Sequence, residues 1–199
     1  MMTREEWLNL ALKELREHVF TVNGIQWPEE CNVKVSCGWP SSRALSKKHR
    51  TAAICHPRED SKGKFNEIFI SPLADNSVEV LGHETHEIIH ALDNCKSHHK
   101  GFFLRTVREV GLEGKPTATH PGEKLTECLN GIISRIGEYP HTEMDPAIRE
   151  KKQSTRMVKA ECPGCGYVIR TTRKWIDEVG LPTCPCGEVF KQSDGGEEK

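Results

Sequence analysis

Apolar residues recur at three- and four-residue spacing in four stretches of the chain and alternate with polar ones in two others. Leu8, Leu12, Leu15 and Val19 share one face of residues 5–20, which predicts an amphipathic N-terminal helix. Val78, Leu81, Thr85, Ile88, Ile89 and Leu92 do the same for residues 78–93, with Asn76 or Ser77 as the capping side chain. Helices also fit 101–110 and 123–136, closed by Gly111 and Gly137. Val33–Ser36 and the run KFNEIFIS at 64–71 read as strands, the second stopped by Pro72. Residues 137–158 lose the periodicity and gain proline and charge.

The 199 residues suffice for one domain of ordinary size and one small module. The pattern places a main domain at 1–140, a linker at 141–158, a small module at 159–190 and a disordered tail at 191–199. A formal net charge of −1 excludes a chain that is basic throughout. Charge is nonetheless uneven: residues 151–175 hold seven Lys/Arg and one acid, and residues 40–65 hold seven and two. Either excess could attract a polyanion or simply be a solvated face. Residues 1–20 carry scattered charges and no apolar leader, and no run approaches the ~18 apolar residues of a membrane span. A cytoplasmic location with no membrane partner is therefore expected.

The nine cysteines fit a reducing compartment, since their number is odd and no leader precedes them. Four of them cluster at 162–186. The other five, Cys31, Cys37, Cys55, Cys95 and Cys128, are expected to be small buried hydrophobes.

Chemistry enters at His86-Glu87-Ile88-Ile89-His90, an HExxH sequence inside the predicted helix 78–93. Residues four apart on a helix lie about 6 Å apart along the axis and about 40° apart around it, so both imidazoles can reach one metal ion. Glu87 lies beside them, where a carboxylate can hold a water molecule at the ion. A catalytic zinc needs a third protein ligand and an open fourth position. The metzincin spacing would put that ligand at Lys96 with a glycine at Asp93, so that class is excluded. His98, His99 and Glu109 are the candidates.

The order HEIIHAL, a short polar loop, His99-Lys100-Gly101-Phe102-Phe103 and a helix ending Val110-Gly111-Leu112 resembles the SprT-like metalloproteases, relatives of Spartan. The upstream strand Asn66–Ser71 with Pro72 fits the same pattern, and the resemblance spans about residues 30–190. It implies a zincin-like domain of α+β class, in which helices accompany a short antiparallel sheet, followed by a zinc ribbon. By position it implies His86, His90 and His99 as ligands and Glu87 as the catalytic base, with His99 chosen over His98 by its offset to Phe103. Glu84-Thr85 departs from the family, which has apolar residues there. His83, one turn before Glu87, is an unusual neighbour that is read as having no special role.

Cys162-Pro-Gly-Cys165-Gly and Cys184-Pro-Cys186-Gly form two tight pairs separated by 18 residues. The glycines let backbone amides turn toward the thiolates. No histidine follows His141, so an all-cysteine set, Cys162, Cys165, Cys184 and Cys186, is the only one available for a structural zinc. Some 30 residues cannot bury much core, so metal would supply much of the module's folding free energy. Between the pairs, Tyr167–Trp175 mixes aromatic residues with Arg170, Arg173 and Lys174, a pattern suited to nucleic acid. A protein-facing ribbon is the competing reading.

Together these features predict a zinc-dependent metallopeptidase with one catalytic and one structural zinc; the resemblance implies protein or peptide substrates, held near DNA. The alternative is a non-proteolytic, nucleic-acid or transcription-associated zinc-binding module.

Overall fold

A computed structural model of the chain describes residues 2–46, 48–145 and 157–192. The chain divides into two compact units, Met1–Ala147 and Ile148–Lys199. The predicted tail beyond Gln192 and most of the predicted linker, residues 146–156, lie outside the described residues.

The first unit begins with α1 (Arg4–Leu15), started by a reciprocal cap in which Thr3 and Glu6 satisfy each other's backbone N–H groups. The helix then widens into a π turn over Arg16–Thr21, which keeps Val19 and Phe20 buried. Strands β1 (Val33–Cys37), β2 (Ala53–His56) and β3 (Asn66–Ile70) follow. Next come α2 (Ser77–Leu92) and α3 (Phe102–Val110), the hairpin β4 (Leu112–Lys115) and β5 (Ala118–Pro121), and α4 (Glu123–Ile136).

The main sheet has the order β1-β3-β2 and is mixed: β1 runs parallel to β3, and β2 antiparallel to it. The expectation of an antiparallel sheet is corrected here. The chain leaves β1, forms β2 on the far side of β3, and only then returns along β3 in the direction of β1. Both β2 and the β4–β5 hairpin were missing from the sequence reading. All four residues of β2 are half-buried, so its polarity does not alternate.

Helix α2 is the centre of the unit. It packs on β2 and β3, on β5, and on α1, α3 and α4. Leu81, Thr85, Ile88 and Ile89 are fully buried, as their spacing predicts. Each buried leucine or isoleucine contributes about 1.5–3 kcal/mol. Asn76 caps the helix by accepting from the Glu79 N–H. Gly82 is where α2 meets β5, since a Cβ there would stand 2.7 Å from Pro121 Cγ.

The second unit is a small antiparallel sheet, β6 (Met157–Glu161), β7 (Val168–Thr172) and β8 (Lys191–Gln192), in the order β7-β6-β8, with α5 (Arg173–Val179) following β7. Among the described residues its buried core is Ala160, Cys162, Cys184 and Phe190, with half-buried Ile169 and Leu181 packed against them. No helix among the described residues is long and apolar enough to cross a membrane.

Candidate metal centres

Three imidazoles converge on one side of α2. His86 and His90 come from successive turns of the helix, and His99 comes from the loop before α3. Their ligand-type nitrogens all lie within 4.8 Å of one another. His99 Nε2 stands 3.3 Å from His90 Nε2 and 3.4 Å from His86 Nε2. A tetrahedral ion about 2.0–2.1 Å from each nitrogen sets edges of about 3.3–3.4 Å between them. The two observed edges therefore have the size such an ion demands.

Phe103 supports the three rings. It stacks on His90 with centroids 4.4 Å apart, and His86 and His99 each lie 4.9 Å from it. Its own side chain is buried, as the first turn of α3 requires for an anchor. The far nitrogen of His86, Nδ1, is 2.7 Å from Thr119 Oγ1 on β5. That bond fixes the ring with Nε2 toward its partners. Thr119 was not among the sequence-predicted residues, because nothing in a short hairpin strand announces its register against α2.

The loop that carries His99 has an unusual backbone. Asn94, Cys95 and His98 all have positive φ, at 57°, 62° and 49°. Asparagine tolerates the left-handed region better than most residues, and here its side chain is fully used. Asn94 Oδ1 accepts from the Arg58 backbone N–H and from Asn66 Nδ2, while Asn94 Nδ2 donates to the Glu59 carboxylate. The turn after α2 is thereby tied to the start of β3 and to the segment between β2 and β3. Asn94 is a second positioning residue that sequence reading missed, although an asparagine just after a helix is a recognised stop signal.

Of the candidates for the third donor, His99 joins the cluster, whereas His98 lines the cavity outside it and Glu109 is exposed on α3. His83 also lines the cavity without joining the cluster; its Nε2 is 3.4 Å from Glu79 Oε1. Burial pushes the His86 imidazole down to about 3 and the His90 imidazole down to about 4, with the neighbouring histidines adding to the shift. His99 is lowered in the same direction and for the same leading reason. All three are neutral near pH 7, with lone pairs free for a metal.

Glu87 is 7% exposed and lines the same cavity. In the metal-free protein its burial raises the carboxyl to about 8, against a smaller opposing pull from a backbone hydrogen bond at Cys55. Glu84, three residues earlier, does not line the cavity. It is completely buried, neither oxygen has a hydrogen-bond partner among the described residues, and burial holds its carboxyl well above the usual range. Glu84 is thus a polar member of the core, at one of the two positions where the sequence departs from the apolar residues of the family it resembles.

The expectation that the dispersed cysteines are buried hydrophobes holds for Cys31. It is corrected for Cys37, Cys55, Cys95 and Cys128, which are half-buried; Cys55 and Cys95 lie in the cavity wall with their sulfurs 3.6 Å apart.

In the second unit, Cys162, Cys165, Cys184 and Cys186 form one cluster whose sulfurs lie within 4.8 Å of one another. Cys162 and Cys186 are 3.3 Å apart, and Cys165 and Cys184 3.5 Å. Tetrahedral zinc–thiolate geometry sets these edges at about 3.8 Å, slightly wider than observed. Two turns present the sulfurs: the Gly166 N–H donates to Cys162 O and the Gly187 N–H to Cys184 O, with both glycines at positive φ. Against the upward push of burial, backbone amides at Cys165 and Gly164 and the Cys186 thiol pull Cys162 down to about 7.

The cations predicted to meet nucleic acid are at the surface of this unit. Arg170 is exposed on β7, Arg173 donates to Gln192 Oε1 at 3.0 Å, and Lys174 lies 5.2 Å from the Trp175 ring centroid. Tyr167 and Trp175 are both more than half exposed. Lys151, Lys152 and Arg156, which contribute to the basic excess at 151–175, lie outside the described residues. Comparisons with protein-family models, curated proteins and solved structures return no match to this chain.

Proposed function

We propose that the chain is a zinc-dependent metallopeptidase that cleaves peptide bonds of protein substrates. The observation that carries this reading is a three-imidazole set whose edges fit a tetrahedral ion, with the Glu87 carboxyl beside it and both facing one cavity. Among the described residues the set stops at three donors, the number a catalytic zinc uses when its fourth position serves water or substrate. A zinc ion bound there would polarise a scissile carbonyl and acidify the water that attacks it.

The rest is the work of the chain's own residues. His86, His90 and His99 enter neutral, so no proton must leave before they bind a cation. Glu87 takes the proton of the attacking water and delivers it to the departing amine. Burial raises its proton affinity, and a cation close by draws that affinity back toward the working range. Thr119 and Phe103 hold the imidazoles in place. The order of HEIIH, His99 and Phe103, followed by a four-cysteine unit, supports kinship with SprT-like metalloproteases.

In the same proposal the four cysteines hold a structural zinc, which stands in for the core this unit lacks. Exposed Tyr167 and Trp175 beside Arg170 and Lys174 favour a nucleic-acid surface on the second unit. That observation also supports the rival reading, a non-proteolytic nucleic-acid-binding zinc protein. Removing and restoring metal tests the enzyme. Cleavage of an unfolded protein substrate, with and without DNA, should vanish after chelation and return with zinc. Zinc-loaded protein that cleaves nothing under these conditions would favour the rival.

A further inference from the structure

We infer that the cavity over the histidines selects acidic polypeptide segments, with Arg43, Arg50 and Lys115 as its specificity-determining residues. The inference rests on the peptidase reading and names its substrate class. The cavity has a volume of about 980 Å³. Arg43, Arg50 and Lys115 line it, and among the described residues Glu87 is the only carboxylate that does.

These cations reach the cavity from two separate parts of the fold. Arg43 and Arg50 belong to the segment that leads into β2, and Lys115 ends β4 in the hairpin that also carries Thr119. The first segment is folded on itself: the Arg43 carbonyl accepts from the N–H groups of Ser46 and Thr51, with Arg43 at φ 52°. Among the described residues none of the three has an acidic partner within ion-pair distance. Arg43 and Arg50, solvent-exposed members of the basic excess at 40–65, thus line the site. Fixed charges of one sign around a concave, partly buried site focus the field into it and raise the local concentration of oppositely charged ligand. A metal cation held by the histidines adds to the same sign.

The occupant is a polypeptide and not a nucleic acid on two grounds. Among the described residues the cavity wall presents no phenylalanine, tyrosine or tryptophan on which bases could stack. One wall is instead the edge of a sheet: β2 is a terminal strand of the order β1-β3-β2, and residues Ala53, Ile54 and Cys55 line the cavity. An extended chain can pair with such an edge through its backbone, leaving its side chains to meet the three cations.

The test uses the full-length, zinc-loaded protein and fluorogenic peptides that differ only in the residues flanking one bond: Asp/Glu, Asn/Gln or Lys/Arg. The expected result is a kcat/KM for the Asp/Glu peptide about tenfold or more above that for Asn/Gln, with Lys/Arg lowest. The ratio should shrink in 0.5 M salt and approach one in the Arg43→Ala/Arg50→Ala/Lys115→Ala variant. Equal rates for Asp/Glu and Asn/Gln peptides in the unaltered protein would overturn the inference and leave the peptidase reading standing. Should no peptide be cut, the peptidase reading falls, and fluorescence anisotropy of the same peptides decides the inference. Tighter, salt-sensitive binding of the Asp/Glu peptide that the triple variant loses supports it. Charge-blind binding, or displacement of the acidic peptide by a single-stranded oligonucleotide in a variant lacking Arg170, Arg173 and Lys174, overturns it.

Discussion

His86 Nδ1 lies 2.7 Å from Thr119 Oγ1, so the first histidine of the cluster is aimed by a residue 33 positions later in the chain. In the tautomer that frees Nε2 for a metal, Nδ1–H donates and the hydroxyl accepts. Thr119→Val keeps the shape of the side chain and removes the acceptor. It should weaken zinc binding at the three-histidine site about 10–100-fold, the usual scale for such a supporting bond. Thr119→Ser should restore most of the affinity. Competition with a chelator of known affinity reads both. Unchanged affinity in the valine variant would show that Phe103 alone sets the ring.

Metal content should be about two zinc per chain, one for each cluster. His90→Ala and His99→Ala should each lose one and keep the other, whereas His98→Ala should keep both. Cys165→Ser should lose the second zinc and loosen only the second unit. Elemental analysis of intact protein decides this, and a single zinc per chain would refute the two-site account.

The dependence on pH follows from opposite shifts on adjacent residues. His86 and His90 sit at about 3 and about 4, below the ordinary 6.5, so the unfolded chain takes up protons that the folded one refuses. Their contribution is complete above 6.5 and is lost as pH falls toward 3–4. Glu87 sits at about 8, above the ordinary 4.5, so the metal-free folded chain holds a proton that the unfolded one releases. That residue therefore costs stability as pH rises from 4.5 to 8. Glu87→Gln removes this cost. In chelator, its Tm should exceed that of the unaltered protein by several degrees at pH 8–9 and match it near pH 4.5. A Tm difference that does not change with pH would place the Glu87 carboxyl in water.

Much of this architecture was legible in the sequence, and the exceptions have physical causes. Helices α2 and α4 carry strong periodicity with clear start or stop signals, so their extent could be read closely. The HExxH spacing needs only helix geometry, and the cysteine pairs need only their own turns. Strands β2, β4 and β5 are four residues each; β2 and β4 lack alternating burial, and β5 alternates only between exposed and half-buried positions, so no strong local pattern marked them. They matter because they build the cavity wall, supplying Cys55, Lys115 and Thr119. Parallel pairing of β1 with β3 is a property of the path between them, which composition does not encode. Glu84 is a different case: its spacing from Leu81 and Ile88 puts it on the face that α2 buries, but its burial opposes its polarity.

The second unit should bind polyanions through its surface cations. Replacing Arg170, Arg173 and Lys174 together should weaken binding to a DNA oligonucleotide and flatten its dependence on salt, with the zinc retained. Binding that does not respond to salt, or that survives the triple replacement, would point to a protein-facing unit.

The central claim is that Glu87 moves protons at a metal held by three histidines. Glu87→Gln keeps the size of the side chain and its hydrogen-bonding capacity but cannot accept a proton. Single-turnover cleavage of a fluorogenic protein substrate by this variant, verified as folded and carrying two zinc, is the direct measurement. Cleavage should fall at least ~10²-fold while substrate binding persists. A folded, fully loaded Glu87→Gln protein that cleaves as fast as the unaltered one would contradict the account.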